Sequence, residues 1–326
     1  MSQSRQTAII TGGASGLGRA LALELAREGW HIAVADLAAE AAEATCAELR
    51  AAGGEAHFEP LDVAQFDQWQ ALRARLEQRW RHLDLLVNNA GVAVSGAVGV
   101  CPLDDWHWIM NINLYGGIFG CHTMVDWLKA NPRGAHIINT ASAAAFGSAP
   151  DMAAYNVTKA GMLALSETLY GELSPHNVGV TVVCPAFFAT NLLTGGRFQQ
   201  DGHRELALSE FRRSRMTAED VAQAALRAMR RKQLYVVMPR QTRVLWLWKR
   251  AAPAHFLRRI STLFRQRAER YRQRAAQAEA EAAAAAAASE ITQLDAAAGN
   301  AEGARGDDTA SRAADRNRAA TTGQTG

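Results

Sequence analysis

A glycine-rich turn near the amino terminus constrains this chain more than any other stretch. The apolar run Thr7–Thr11 leads into Gly12, Gly16 and Gly18, and a helical pattern follows over 19–26. Glycine lets a backbone approach a phosphate closely, and the start of the next helix offers N–H donors and a partial positive charge. The spacing G-x-x-x-G-x-G differs from the commoner G-x-G-x-x-G. The strand, turn and helix together predict a cradle for a dinucleotide pyrophosphate, with an ordinary glycine turn as the alternative.

Apolar, strand-like runs alternate with helical patterns from this turn to about residue 238. Such alternation predicts a parallel sheet with helices on both faces, a Rossmann-type doubly wound α/β fold. The length of 326 residues allows two domains, but one α/β domain followed by a tail fits it equally well. We divide the chain into a dinucleotide-binding catalytic domain at 1–239, a basic helical extension at 240–274, and a low-complexity tail at 275–326 that is expected to be disordered.

Acidic and amide side chains follow several strands of this predicted sheet. Asp36 ends the second strand about 20 residues after the glycines, where a carboxylate can bind the adenosine ribose hydroxyls and repel a 2′-phosphate. Leu37 and Ser15 are not basic, so NAD is the predicted cofactor and NADP the second choice. Asp36 could also cap the following helix, and the two roles are compatible. Asp62 and Asn89 follow the third and fourth strands, and without the glycines both would be ordinary turn residues.

A tyrosine and a lysine four residues apart follow the strand-like run at 135–139. Tyr155 and Lys159 lie on one face of a predicted helix, one turn apart. A neighbouring cation stabilises a tyrosinate, so we expect the phenol pKa of Tyr155 to fall from its usual value of about 10 toward neutrality. Ser142, at the end of the strand, could hold a carbonyl oxygen against that phenol. The pattern predicts proton transfer, and an exposed helix pair without function is the alternative.

Two further segments bear on this site. A long helical stretch is predicted at 103–130, and it contains Asn113. Asparagine is unfavourable inside a helix, so this residue must either pair internally or serve the site. The region 195–215 is rich in glycine, glutamine and charged residues with weak periodicity, which predicts a flexible loop with short helices that acts as a lid.

Together these residues resemble the short-chain dehydrogenase/reductases, in the compact single-domain branch with a Tyr-x-x-x-Lys motif. The resemblance covers about residues 5–239 and rests on seven elements in the family's order. They are Thr11-Gly12-x-x-x-Gly16-x-Gly18, Asp62-Val63, Asn88-Asn89-Ala90-Gly91, Asn113, Ser142, Tyr155-x-x-x-Lys159, and Pro185 with Thr190. Ala186 departs from the pattern, since the family usually has glycine after that proline, but the change adds only a methyl group.

The resemblance implies a role for each matching residue. Tyr155 is expected to exchange a proton with the substrate oxygen, while Lys159 lowers its pKa and binds the nicotinamide ribose. Ser142 is expected to orient and polarise the carbonyl, and Asn113 to hold a water that relays protons to Lys159. Thr190 is expected to bond the carboxamide. The residues expected to bind the dinucleotide are Gly12, Ser15, Gly16, Leu17, Gly18, Asp36, Asp62, Val63, Asn89, Ala90, Gly91, Tyr155, Lys159, Pro185 and Thr190.

A strongly basic segment follows the predicted domain. The net charge of the whole chain is +3, but residues 240–274 alone carry +10, which leaves −7 for the remainder. Within this segment the apolar residues Phe256, Ile260, Leu263 and Phe264 share one helical face flanked by arginines. Such a helix suits the surface of an anionic membrane. Packing of the face on the lid or across a subunit interface is the main alternative, and nucleic acid is the least favoured partner.

Other features limit where the chain functions. Four cysteines without paired spacing indicate reduced thiols in a cytoplasmic protein, and no Cys/His cluster has metal-ligand spacing. The polar start at 1–6 does not resemble a signal peptide, and no apolar run reaches about 18 residues. The expected location is therefore the cytoplasm, at the membrane surface if the extension binds lipid.

The sequence thus predicts an NAD(P)-dependent oxidoreductase that interconverts an alcohol and a ketone or aldehyde by hydride transfer. Phe187 and Phe188, with the apolar extension, favour a lipophilic small molecule such as a long-chain or cyclic alcohol. The resemblance also implies a homo-oligomer. The alternative is a dinucleotide-binding sensor or a membrane-anchored scaffold with little catalysis, although such a protein would not need a proton-transfer group.

Overall fold

The computed structural model describes residues 5–188, 192, 195–199 and 203–267, together with 269, 270, 273, 276, 277, 280–285 and 288. Residues 1–268 form one compact unit and residues 269–326 a second. The described residues of the second unit are helical, and most of the predicted tail at 275–326 lies outside the described residues.

The described strands and helices alternate along most of the chain. The strands are β1 (Thr7–Thr11), β2 (His31–Asp36), β3 (Glu55–Pro60), β4 (Leu85–Asn88), β5 (Val94–Ser95), β6 (Ala135–Thr140), β7 (Val178–Pro185), β8 (Arg197–Phe198) and β9 (Tyr235–Met238). The α-helices are α1 (Gly16–Arg27), α2 (Ala39–Ala51), α3 (Phe66–Glu77), α4 (Leu103–Met110), α5 (Gly116–Lys129), α6 (Ala144–Gly147), α7 (Ala153–Leu173), α8 (His203–Arg213), α9 (Ala218–Arg230), α10 (Arg240–Ala251) and α11 (253–267). A π-helical turn, Asn111–Tyr115, joins α4 to α5, and a 3₁₀ turn, Ser174–His176, follows α7.

Seven of these strands form one parallel sheet in the order β3-β2-β1-β4-β6-β7-β9. The strand order reverses between β1 and β4, and ligands of such sheets bind at the carboxyl ends of the strands beside this reversal. One apolar core lies under α1, α2 and α9 on one face, and another lies under α3, α5 and α7 on the other. β1 and β7 are buried along their whole length, as strands covered on both faces must be. The predicted Rossmann-type fold is confirmed.

The run Met216-Thr217-Ala218-Glu219-Asp220 predicts a helix with Thr217 as its N-cap, so three local predictions can be compared with the observed elements. Thr217 caps α9 through a reciprocal capping box with Asp220, because each side chain accepts the other residue's backbone N–H. The predicted helical stretch at 103–130 is helical throughout, but its hydrogen bonding shifts to a π-helical turn around Asn113. The predicted lid region at 195–215 contains α8 and also β8, which pairs in parallel with β5 in a small second sheet.

Helix α10, the first part of the basic extension, packs against β9 and α6. The Trp246 ring of α10 lies 5.0 Å from the Tyr235 ring and 6.4 Å from the Phe146 ring, between centroids. In α11, Phe256 is 1% exposed and Ile260 is 9% exposed. The Phe256 ring lies 5.2 Å from the Trp248 ring of α10, so it packs within the extension and neither on the lid nor, as far as the described contacts go, on another subunit. Phe256 and Ile260 are buried and are therefore not available to a membrane.

Candidate active site

The glycine turn joins β1 to α1 at the carboxyl end of the sheet. Gly12 and Gly16 have positive φ angles of 63° and 52°, which glycine adopts without strain. A Cβ atom on Gly18 would stand 2.2 Å from the Gly12 carbonyl oxygen, so only glycine fits there. No side chain caps the start of α1 at Ser15, and Leu17 buries its side chain in the core. The turn thus presents backbone N–H groups in a cradle free of side chains, which fits a dinucleotide pyrophosphate.

Asp36 lies at the end of β2 beside this cradle. One carboxylate oxygen accepts the N–H of Ala14 at 3.0 Å, and the other accepts the N–H of Ala38 at 3.1 Å. The bond to Ala38, the residue before α2, agrees in part with the capping alternative. The bond to Ala14 fixes the glycine turn. Each oxygen keeps a lone pair for a ribose hydroxyl. Leu37 and Ser15 are exposed and bring no positive charge to this corner.

Thr11 ties the ends of β1 and β4 together, although it was not among the expected binding residues. Its hydroxyl oxygen accepts the N–H groups of Asn89 and Ala90 at 2.9 and 3.0 Å. The Asn89 amide donates to the Thr11 carbonyl at 3.0 Å, and its oxygen accepts the Thr140 hydroxyl at 3.3 Å. Asn89 therefore holds three strand ends in register under the cradle. The sequence feature that could have indicated this role is a hydroxyl residue immediately before the first glycine of the turn.

Asp62 and Val63 shape the turn after β3. The Asp62 carboxylate accepts the N–H of Ala64 at 3.0 Å, and the Asp62 N–H donates to the Gln68 side chain at 2.8 Å. Val63 is buried, and its carbonyl accepts the indole N–H of Trp69 at 3.1 Å. Both residues are therefore held at the same edge of the sheet as Asp36.

Tyr155 and Lys159 are both buried on α7, with 7% and 4% exposure. The Lys159 ammonium donates to the Thr140 carbonyl at 3.0 Å and lies 5.7 Å from the centre of the Tyr155 ring. Burial raises the pKa of Tyr155 to about 12, and a hydrogen bond with Ser142 opposes this. Burial also lowers the pKa of Lys159 to about 8, and the nearby Cys184 thiol opposes this change. The pKa of Tyr155 is therefore shifted opposite to the sequence prediction, because loss of solvent outweighs the Ser142 hydrogen bond.

Ser142 follows β6 and lies at the start of a constrained loop. Its hydroxyl accepts the N–H of Ala144 at 3.1 Å and donates to the Pro185 carbonyl at 3.4 Å. Between Ser142 and Tyr155 the backbone of Ser148 and Asp151 is left-handed, with φ angles of 50° and 58°. Such conformations are costly for residues other than glycine and occur often at active sites. The loop brings the Ser142 hydroxyl to the Tyr155 phenol.

Asn113 is buried in the π-helical turn and pairs internally. Its side-chain oxygen accepts the N–H of Val92 at 2.8 Å, and its amide donates to the Val92 carbonyl at 2.9 Å. The amide also approaches the Thr158 hydroxyl at 3.4 Å. A Cβ atom on Gly91 would stand 3.2 Å from the Asn113 oxygen and 3.5 Å from the Lys159 nitrogen. Asn113 thus fixes the segment after β4 to the helix that carries Lys159.

A small cavity lies next to Asn113. Its volume is about 10 Å³, and Thr11, Asn88 and Thr140 contribute polar atoms to its lining. The Asn88 side-chain oxygen is buried without a hydrogen-bond partner among the described residues. One water needs roughly 10–15 Å³ and two or more polar partners. The cavity is therefore close to the size and polarity that one bound water requires.

The remaining surroundings of Tyr155 are apolar. The ring belongs to a cluster of apolar side chains from β5, α4, α7 and the segment before β8. The cluster contains Val92, Val94, Cys101, Trp106, Trp108, Ile109, Ala144, Met152, Ala154 and Leu192. Tyr155 thus stands in an apolar wall with Ser142 and Lys159 as polar neighbours.

The segment after β7 differs in part from its predicted role. Phe188 is 9% exposed and packs in the core, whereas Phe187 is 37% exposed and its ring lies 5.6 Å from that of Phe211 on α8. Only Phe187 can therefore face a substrate. Pro185 ends β7 beside Ser142, and Thr190 lies outside the described residues.

The described part of the chain contains neither a metal-binding cluster nor a membrane-spanning helix. Its His, Cys, Asp and Glu residues form no group of three or more that could hold a metal ion. Its helices include none that is both long and apolar enough to cross a bilayer. All four cysteines are buried and unpaired, as the sequence predicted.

Comparison with protein families identifies the class to which this fold and site belong. The family model of the short chain dehydrogenases matches residues 6–200, and the chain belongs to this family. The family consists of NAD(P)-dependent oxidoreductases, and the glycine turn described above fits their nicotinamide dinucleotide cofactor.

Curated relatives of similar identity carry out different reactions. The chain is 35% identical over 188 residues to a 3-oxoacyl-[acyl-carrier-protein] reductase of Synechocystis, which covers 57% of this chain and 76% of the relative. It is 32% identical over 179 residues to a 3beta-hydroxysteroid dehydrogenase of Mediterraneibacter gnavus, covering 55% and 64%. It is 33% identical over 196 residues to the "Probable oxidoreductase EphD" of Mycobacterium tuberculosis. That match covers 60% of this chain but only one third of the mycobacterial protein.

Solved structures show the same fold. A short-chain dehydrogenase/reductase from Burkholderia phymatum in complex with NAD superimposes with a TM-score of 0.69 at 30% identity. That match covers 73% of this chain and 90% of the other. A short-chain dehydrogenase from Sphingobium yanoikuyae in complex with NADPH gives a TM-score of 0.65 at 24% identity, over 77% and 95% of the two chains. The second likeness concerns the fold alone.

Proposed function

We propose that this protein interconverts a lipophilic alcohol and the corresponding ketone or aldehyde, with NAD as the preferred cofactor. The observation that carries the proposal is Tyr155, buried in an apolar wall with Ser142 and Lys159 as polar neighbours. The bound dinucleotide would supply or accept the hydride. The residues of the chain hold the substrate oxygen and move a proton to or from it.

The proton step follows from the pKa values of the two buried groups. With a pKa of about 12, Tyr155 keeps its proton at neutral pH and can donate it to a carbonyl oxygen during reduction. Lys159, one turn away, stabilises the phenolate that remains, and Ser142 holds the substrate oxygen by a hydrogen bond. In the oxidising direction Tyr155 takes the hydroxyl proton instead. We assign Asn113 and the adjacent cavity to a water that returns protons to Lys159.

NAD preference rests on the corner formed by Asp36, Leu37 and Ser15. A carboxylate there can accept a ribose hydroxyl but repels a 2′-phosphate, and no cation among these residues offsets the repulsion. The solved structure of the B. phymatum relative is a complex with NAD, which supports this choice.

A lipophilic substrate rests on the composition of the wall around Tyr155. Two tryptophans and several aliphatic side chains line it, so a polar or charged substrate would lose hydration there without compensation. The steroid dehydrogenase among the relatives acts on a substrate of this kind. We therefore place long-chain and cyclic alcohols and ketones first.

A paired substitution tests this function. Tyr155→Phe should lower kcat at least about a thousandfold with a panel of secondary alcohols and ketones, because the proton donor is lost. Tyr170→Phe is the matched control, since Tyr170 is 43% exposed on the same helix. Equal rates for wild type and Tyr155→Phe, or no turnover by wild type with either cofactor across the panel, would refute the proposal.

We further propose that the extension binds an anionic membrane surface through apolar residues other than Phe256 and Ile260. Val244 and Leu247 of α10 and Leu263 of α11 are 66%, 53% and 53% exposed. They lie among eight Lys and Arg residues in 240–267, a range without any Asp or Glu. Apolar side chains surrounded by cations suit a helix lying in a membrane interface.

Vesicle co-sedimentation tests the membrane proposal. The double variant Leu247→Ser and Leu263→Ser should pellet less with vesicles that contain phosphatidylserine than wild type does. Val98→Ser with Leu103→Ser is the control, because these exposed apolar residues lie outside the extension. Equal pelleting of wild type and the extension variant would exclude this surface.

We also propose a homo-oligomer, as members of the family often form one. Light scattering coupled to size exclusion measures the mass directly. A particle of 35.2 kDa at all accessible concentrations would contradict the proposal.

A further inference from the structure

Polar side chains attach the 195–199 segment to α4. The segment lies in the chain between β7, which ends at Pro185, and α8. Its backbone pairs with the strand that follows Gly91 and Val92, because Arg197 N–H donates to the Ala93 carbonyl at 2.9 Å. The Gln199 N–H donates to the Ser95 carbonyl at 3.0 Å. These backbone bonds alone would allow any side chain at 197 and 199.

The side chains of this segment converge on one buried carboxylate. Asp105 is 6% exposed, and one of its oxygens accepts the Arg197 guanidinium at 2.6 Å. Its other oxygen accepts the Gln199 side-chain amide. A buried carboxylate is costly unless both oxygens find donors, so Asp105 depends on two residues more than 90 positions further along the chain.

Trp108 holds the same guanidinium from a second direction. The Arg197 guanidinium carbon lies 3.9 Å from the centre of the Trp108 ring, within the range of a cation–π contact. Asp105 and Trp108 are three residues apart on α4 and so share one helical face. Arginine can lie flat on an indole and donate to a carboxylate at the same time, whereas lysine cannot do both.

This attachment is linked to the proton-transfer site through the strand between them. Val92, two residues before β5, is held at both backbone groups by Asn113. At the other end of β5, Gly96 N–H donates at 2.7 Å to the Asp151 carbonyl, in the loop that precedes Tyr155. Trp108 also belongs to the apolar cluster that contains Tyr155. The position of the 195–199 segment is therefore fixed relative to Tyr155.

We propose that Asp105, Trp108, Arg197 and Gln199 form a clasp that positions the 195–199 segment over the substrate and thereby sets substrate affinity. These four are positioning residues, since the pairs described here are with one another and not with reacting atoms. The proposal rests on the function proposed above. It goes beyond that function because the clasp residues lie outside the family's motifs.

Arg197→Gln tests the clasp in the full-length protein. The variant should raise KM for the alcohol or ketone about tenfold, leave kcat within about threefold, and leave the Kd of NADH unchanged. Arg197→Lys keeps the charge but loses the flat contact with Trp108. Its KM should lie between that of Arg197→Gln and that of wild type. Arg75→Gln is the matched control, because Arg75 pairs with the buried Glu59 at 2.8 Å with similar exposure, on α3 and β3.

A second measurement does not depend on turnover. Thermolysin should cleave within 195–199 faster in Arg197→Gln and in Asp105→Asn than in wild type or in Arg75→Gln. The double variant should be cleaved no faster than either single variant, because both break the same clasp. Additive acceleration, or cleavage at the wild-type rate, would overturn the clasp even if no substrate is ever turned over.

The kinetic outcomes are equally decisive. An unchanged KM in Arg197→Gln, or a KM that rises equally in Arg75→Gln, would mean that the clasp does not position substrate. A lack of turnover in wild type together with accelerated, non-additive cleavage would refute the proposed function but support the clasp as the anchor of this segment.

Discussion

At the amino end of the sheet, Asp84 and His136 are buried beside the starts of β4 and β6, and at the carboxyl end Tyr155 and Lys159 are buried beside the ends of β6 and β7. The two pairs are similarly shielded from water, with exposures between 4% and 7%. Their partners differ. At the amino end the Asp84 carboxylate is surrounded by hydrogen-bond donors of the protein, and the His136 ring lies against the Thr181 hydroxyl.

Asp84 shows how complete this matching is. Its oxygens accept the Thr7 N–H at 2.9 Å, the Asn131 amide at 2.9 Å and the Arg133 guanidinium at 3.0 Å. At the carboxyl end, by contrast, α1 begins without a side-chain cap and the glycine turn excludes side chains. The sheet thus surrounds Asp84 with donors at its amino end, whereas its carboxyl end carries a glycine turn and a helix start without a side-chain cap.

The comparison shows that a shifted pKa does not by itself mark a catalytic group. Burial lowers the pKa of His136 to about 3, with the Lys232 charge adding to the effect, which is a larger shift than that of Tyr155 or Lys159. His136 nevertheless lies at the amino end. Its Nε2–H donates to the Thr181 hydroxyl oxygen at 2.8 Å, because that hydroxyl itself donates to the Gln233 carbonyl. Location at the carboxyl ends of the strands separates the functional pair from the structural one.

The largest effect on folding is expected from Asp84→Ala. The substitution strands a buried backbone N–H and an arginine, so we expect the free energy of unfolding to fall by about 3–5 kcal/mol. NADH affinity of the folded fraction at low temperature should not change. Asp126→Ala, at an exposed position on α5, is the control for urea denaturation. A loss below about 1 kcal/mol would show that the amino end is less tightly matched than the contacts indicate.

The largest effect on the cofactor is expected from Gly18→Ala. The added Cβ would collide with the Gly12 carbonyl, so the turn must open and the Kd of NADH should rise about a hundredfold or more. Gly171→Ala on α7 is the control, since nothing lies within 4 Å of its Cβ position. Unchanged affinity measured by NADH fluorescence would remove the glycine turn from the cofactor site.

Local features of the fold could be predicted from the sequence, because they depend on residues that are close together in the chain. The glycine turn, the Tyr155–Lys159 spacing and the Thr217 cap all depend on residues within one or two turns of each other. The clasp between Asp105 and Arg197 joins positions 92 residues apart, and no periodicity indicates it. The pKa of Tyr155 was predicted in the wrong direction, because the sequence shows the neighbouring charge but not the depth of burial.

A smaller effect should appear in the acid stability of His136→Gln. Between pH 6.5 and about 3 the unfolded chain binds a proton at His136 that the folded protein does not bind. Wild-type stability should therefore fall as the pH is lowered through this window, by up to roughly 1.4 kcal/mol per pH unit from this group. The variant should show a flatter dependence in urea titrations, with His176→Gln as the exposed control. Identical slopes for wild type and His136→Gln would contradict the assignment.

The smallest effect, and the one that best separates structure from function at the carboxyl end, concerns Asp36. Asp36→Asn keeps the shape of the side chain but removes its charge, so the ratio of kcat/KM for NADP to that for NAD should rise about tenfold. Asp36→Ala should raise the ratio similarly and also destabilise the glycine turn, because the Ala14 N–H loses its acceptor. If the ratio stays constant in both variants, Asp36 only supports the turn, and the cofactor preference must come from other residues.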